Sequence, residues 1–159
     1  MKVSLIEFLQ TGFLGDLRPG MSKDEVRVLL GEPDAIGGMS RKYPQGHLFL
    51  YGTVEIYFQH QQPYQHTSVF WDAQEKSKFQ LSSKCKITDW FLEPGMSVNR
   101  VEAFLREYQL AFEYKFRVEE EPLDIVLPSG ITIGFSKQGL YVIGNAQRIE
   151  KSDTSFLSS

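Results

Sequence analysis

The chain has 159 residues, 42% of them hydrophobic and 23% charged, and a formal net charge of −3. That length supports one ordinary domain or two fused half-domains, with about two thirds of the unfolded surface buried and no need of a covalent staple. The mild acidic excess, with no basic stripe, argues against a nucleic-acid partner, whose binders carry clustered positive charge.

Met1-Lys2-Val3-Ser4-Leu5-Ile6-Glu7-Phe8-Leu9 starts like a signal peptide, but Glu7 interrupts the apolar run and no small-residue cleavage site follows. Leu5, Ile6, Leu9 and Phe13 recur at helical spacing, so residues 4–10 are predicted to form a short amphipathic helix ended at Gly12 and lying on the first half of the chain. Pro19-Gly20 is a turn, and Ser22 with Glu25 three residues later forms a capping box for a second helix that ends near Leu30 at Gly31 and Pro33. Strands follow at 47–51, 54–58 and 68–71; in the middle one Val54, Ile56 and Phe58 alternate with Glu55 and Tyr57. Between the last two lies a polar, uncharged hairpin insertion, residues 59–66, with Tyr64 as its natural anchor and His66 at its end.

Residues 73–86 are polar, with Phe79 and Leu81 alternating, and are read as a strand with loops. Cys85 within them is the only cysteine, which precludes an intrachain disulfide and suits a reducing compartment, so a cytoplasmic setting is expected. Residues 87–91 take the place of a first helix in the second half, and Trp90-Phe91 is expected to be core. Pro94-Gly95 and a Ser97 cap open the next helix, with Arg100 where a capping box needs an acid. Strands at 123–127, 131–135 and 140–143 complete the pattern, Ile131, Ile133 and Phe135 repeating the alternation of the first half. Glu119-Glu120-Glu121 with Asp124 reads as a solvated hairpin tip, and the serine-rich end as a frayed tail. No stretch approaches the roughly 20 apolar residues of a membrane span, so no membrane partner is expected.

The chain repeats itself. Residues 17–30 (LRPGMSKDEVRVLL) return 75 residues later as 92–105 (LEPGMSVNRVEAFL), with Leu17, Pro19, Gly20, Met21, Ser22, Val26 and Leu30 all recurring. A repeat of that length is a supersecondary unit used twice. The expected fold is therefore α+β: two tandem helix-helix-three-strand units, residues 1–75 and 76–149 with 150–159 as tail, forming an antiparallel sheet with helices on one face.

The run of leucine, one residue, Pro-Gly-Met-Ser, then a helix with valine five positions after the methionine and a Leu-Gly-x-Pro stop resembles the helix-turn segment of the BamE/SmpA outer-membrane lipoproteins. Tandem units at this spacing are similar to those of the beta-lactamase-inhibitor protein. The second resemblance implies sheets joined into one concave surface that clasps a protein. The chain departs from both, having neither a lipidated cysteine after a signal nor a disulfide, and no functional residue is carried over from either family.

If Val54, Ile56 and Phe58 define the helix-packed face, Glu55 and Tyr57 belong to the other. Alternation in the neighbouring strand assigns Phe49 and Tyr51 to that other face as well, with Trp71 and Tyr141 also outward. Tyr and Trp give large contact area at low entropic cost, so Phe49, Tyr51, Glu55, Tyr57, Tyr64, His66, Trp71 and Tyr141 form the expected partner-binding set. His47, His60 and His66 lack metal-ligand spacing, and no nucleophile or phosphate-loop signature is present, so neither cofactor nor metal is expected. The leading expectation is a non-enzymatic module that binds a protein partner, as an intracellular inhibitor or immunity-type protein. An assembly or scaffold subunit is the alternative, an enzyme with an unrecognised site is a third, and a homo-oligomer through the sheet face is compatible with the first two.

Overall fold

The computed structural model describes residues 1–59, 66–72, 78–116 and 123–145. A short strand β1 (Lys2–Ser4) runs into helix α1 (Leu5–Thr11); helix α2 (Lys23–Leu30) precedes strands β2 (Ala35–Gly37), β3 (Leu48–Tyr51), β4 (Val54–Phe58) and β5 (His66–Asp72). Strand β6 (Lys86–Thr88) precedes helix α3 (Val98–Glu107) and strands β7 (Glu113–Phe116), β8 (Leu123–Val126), β9 (Ile131–Ser136) and β10 (Gly139–Asn145). Eight strands form one sheet in the order β2-β3-β4-β5-β10-β9-β8-β7, every adjacent pair antiparallel, and β1 pairs with β6 in a separate two-stranded parallel sheet.

This corrects the expected architecture. The first half contributes two helices and the second only one, each half ends in a four-stranded meander in place of the expected three strands, and the two meanders join edge to edge where β5 meets β10. The expected helix substitute at 87–91 is instead the strand β6, and the described residues 78–85 form no strand. Helix α1 also departs from expectation by docking on the second half. Ser129 donates its hydroxyl to the Leu9 carbonyl at 2.6 Å, and the Asn145 amide donates to the Gly12 carbonyl at 3.3 Å. The start of α1 is held from the same side, because Asp89 accepts hydrogen bonds from the Ser4 hydroxyl at 2.8 Å and the Leu5 amide at 3.2 Å.

The repeated motif builds equivalent helix starts. Ser22 Oγ accepts from the Glu25 amide at 3.2 Å while Glu25 accepts from the Ser22 amide at 2.7 Å, a complete box; Ser97 Oγ accepts from the Arg100 amide at 3.3 Å without the return bond. Met96 is buried in the core and Met21 packs against it half-buried. Ser22→Ala is expected to cost about 0.5 to 2 kcal/mol, read as a lower denaturant midpoint at constant slope. The hydrogen bonds from Ser22, the backbone one first, hold Glu25 below the ordinary carboxylate range. The contribution of the box is thus complete above the unfolded-state pKa and is lost as pH falls through the depressed one.

All three helices bury residues in one core with one face of the sheet: Leu5, Phe8 and Leu9 from α1, Val26 and Leu30 from α2, Val101 and Leu105 from α3. Ile56 and Ile133 lie fully buried among them. An aromatic group fills the centre. Trp71 meets Phe79 and Trp90 edge-on, each at 5.6 Å between ring centroids, and Phe79 stacks on Trp90.

Candidate functional site

Cross-strand partners place their side chains on the same face, so the register sorts the sheet without ambiguity. Phe49 opposes Ile56, Tyr51 opposes Val54, Val54 opposes Trp71, and Trp71 opposes Ile143. These residues belong to the helix-covered face. Leu48 opposes Tyr57, Leu50 opposes Glu55, Glu55 opposes Phe70, Phe70 opposes Gly144, and Val142 opposes Gly134. These residues make the second face, and every helix directs its buried residues to the first.

Three members of the expected contact set are therefore core. Phe49 is 0%, Tyr51 1% and Trp71 2% exposed. The reason is the hairpin between β3 and β4: its loop is only Gly52-Thr53, which sets Tyr51 against Val54 and makes odd residues of one strand face even residues of the next. Tyr51 is tied down further. Its hydroxyl donates to the Gly31 carbonyl at 2.9 Å, and burial pushes its pKa up to about 12. Phe49 lies beneath a buried lysine whose ammonium donates to the carbonyls of Gly46 at 2.5 Å and Gln45 at 3.1 Å. Burial, then the neighbouring Arg27 charge, lowers the pKa of that residue, Lys23.

Glu55, Tyr57 and Tyr141 do lie on the second face. The Tyr57 hydroxyl donates to Glu55 at 2.6 Å, and the Tyr141 ring reaches over Gly134. Of the remaining two expected residues, Tyr64 lies outside the described residues, and His66 is placed only as the first residue of β5. The inserted segment 60–65 and the acidic run 119–121 also fall outside the described residues.

Sequence reasoning missed Leu48, Leu50 and Phe70, which lie half-buried on this face, and Val142, which lies on it but is buried. Three glycines shape the face. A Cβ at Gly37 would stand 2.9 Å from Leu48 Cδ2, one at Gly144 2.9 Å from Phe70 Cδ2, and one at Gly134 2.5 Å from Val142 Cγ1. In each case the large side chain lies down over the strand beside it, as aromatic residues do over cross-strand glycines. The resulting surface is low and apolar, interrupted by the Tyr57–Glu55 pair and by the buried Asp124 beside Gly134. The signal that could have found these residues is the two-residue Gly52-Thr53 turn, which determines parity across the hairpin.

Among the described residues no group of three or more His, Cys, Asp or Glu side chains is placed to hold a metal ion, and no helix is long and apolar enough to cross a membrane. Cys85 is half-buried, and burial raises its pKa above that of an ordinary thiol. Comparison with protein-family models, with curated proteins and with solved structures finds no match to this chain.

Proposed function

We propose that the protein is a non-enzymatic module that binds another protein through the second face of its sheet. The observation that supports this reading is the half-buried apolar band of Leu48, Leu50, Tyr57 and Phe70, which reaches the seam between the two halves, where Phe70 opposes Gly144, on the face that no described helix covers. Contiguous apolar surface of this kind is uncommon on a protein without a partner, and tyrosine beside a carboxylate supplies orientation within it. The repeated Pro-Gly-Met-Ser motif, by its resemblance to a tandem-unit inhibitor, favours occlusion of an enzyme or toxin over a scaffolding role. The reading includes a cytoplasmic setting, which the single thiol of Cys85 supports.

The test compares the wild-type chain with Leu50→Asp/Tyr57→Ala. The variant should keep its melting temperature, since neither side chain belongs to the core. A species captured by the wild type should bind the variant at least about 30-fold more weakly once purified and titrated, as expected for loss of a contact-centre aromatic. Equal binding by both forms, or unfolding of the variant, overturns the assignment of this face.

A further inference from the structure

The two ends of the sheet are unlike. β2 offers only the three residues Ala35–Gly37, whereas β7 offers Glu113–Phe116 with all four residues exposed, Phe116 to 75%. An open edge strand is a template for another strand, and a lysine on it normally discourages pairing. Here the sequence around the lysine reads Phe112-Glu113-Tyr114-Lys115-Phe116, which has the same order of side-chain types in both directions: aromatic, charge, tyrosine, opposite charge, aromatic.

We infer that β7 is a self-association edge, on which two copies of this chain pair antiparallel about a two-fold axis through Tyr114. In that register Glu113 of each copy opposes Lys115 of the other, twice over, and Phe112 opposes Phe116. Both charges are available for it, since neither Glu113 nor Lys115 forms an ion pair among the described residues. The faces agree too. Glu113 opposes Val126 and Lys115 opposes Asp124 across β8, which puts both charged residues on the uncovered face, while Tyr114 opposes Ile125 on the helix-covered face. Tyr114 is held there by its hydroxyl, which donates to Glu102 of α3, and Glu102 in turn accepts two hydrogen bonds from Arg106. The edge strand is thereby tied to α3. Alternate residues of an edge strand point their N–H and C=O groups outward, and a two-fold through one residue satisfies the ladder in either phase. Pairing in this register continues the eight strands into one sheet across two copies. The same lysine that repels an unrelated strand therefore selects this one.

This edge is separate from the proposed contact face, and its test separates them. The full chain is followed by analytical ultracentrifugation over a concentration series reaching the millimolar range, because one strand pair buries little area and gives a weak dimer. The wild type should self-associate, and Lys115→Glu or Glu113→Lys should each weaken it about tenfold or more by setting like charges opposite each other. An equimolar mixture of the two variants should associate as the wild type does, and so should the double exchange E113K/K115E. Recovery in the mixture excludes misfolding of either variant as the cause. A monomeric wild type throughout the series overturns the inference, as does association that survives both reversals or is abolished only by Leu50→Asp on the sheet face.

Discussion

Trp71→Ala is expected to destabilise the protein by about 3 to 5 kcal/mol, the range for removing a large buried aromatic, and to shift the denaturation midpoint accordingly. The side chain is 2% exposed and stands between β4 and β10, opposite Val54 and Ile143. Its neighbours Phe79 and Trp90 are rigid rings stacked on each other, so the vacated space cannot close by rotamer changes of flexible side chains. Trp71→Phe should cost clearly less. It keeps the edge-on ring contacts and removes an indole N–H that is buried without a hydrogen-bond partner among the described residues. Fluorescence of the remaining Trp90 follows both unfolding curves. An alanine variant as stable as the wild type would return Trp71 to the surface and restore the contact set first expected from the sequence.

Gly139→Ala is expected to cost more than about 2 kcal/mol, because two separate prohibitions act at one residue. Its φ of +99° is a conformation that side chains disfavour, and an added Cβ would stand 2.3 Å from the Gly95 carbonyl oxygen and 2.5 Å from its carbon. Backbone cannot yield as a side chain tip would. Gly95 is itself clamped, donating its amide to the Leu140 carbonyl at 2.9 Å while Leu140 donates to the Met96 carbonyl at 2.8 Å. The Pro-Gly turn that starts α3 is thus hydrogen-bonded to the start of β10, and the substitution should separate them. Gly20→Ala at the equivalent turn of the first half provides the comparison: its φ is +92°, but nothing lies within 4 Å of the added atom. A smaller loss there, by thermal or chemical denaturation, isolates the contact from the backbone strain. Equal losses at both positions would show that docking of the turn contributes nothing.

Local signals were legible where local physics decides. Ser22, Glu25 and Gly31 mark the ends of α2 in sequence and in space, and alternation located β4 and β9 closely. What the sequence concealed is pairing at a distance. β6 has only the three residues Lys86–Thr88 and is a strand because β1 lies beside it, and β2 is equally short beside β3. Glu113–Phe116 carries alternating charge and aromatics yet no turn signal that would announce a fourth strand in the meander. Helix α1 has an ordinary amphipathic pattern, but its address on the second half depends on Ser129, Asn145 and Asp89, polar residues far along the chain. For the contact face the error was one of parity. Both strands of the β3–β4 hairpin were recognised, and a single misplaced phase exchanged Phe49 and Tyr51 for Leu48 and Leu50.

The junction of β5 with β10 has a consequence for how the chain comes together. The first meander can zip from neighbouring hairpins as soon as its residues are available, but β5 is then its outermost strand, and the strand that covers it follows β7, β8 and β9 in the chain. Until β10 arrives, an emerging chain presents β5 as a free seven-residue edge, with Phe70 on one side and Val69 and Trp71 on the other. Slow closure of so distant a pair makes that interval the one in which a nascent chain is exposed to aggregation, and it gives a chaperone a defined segment to shield.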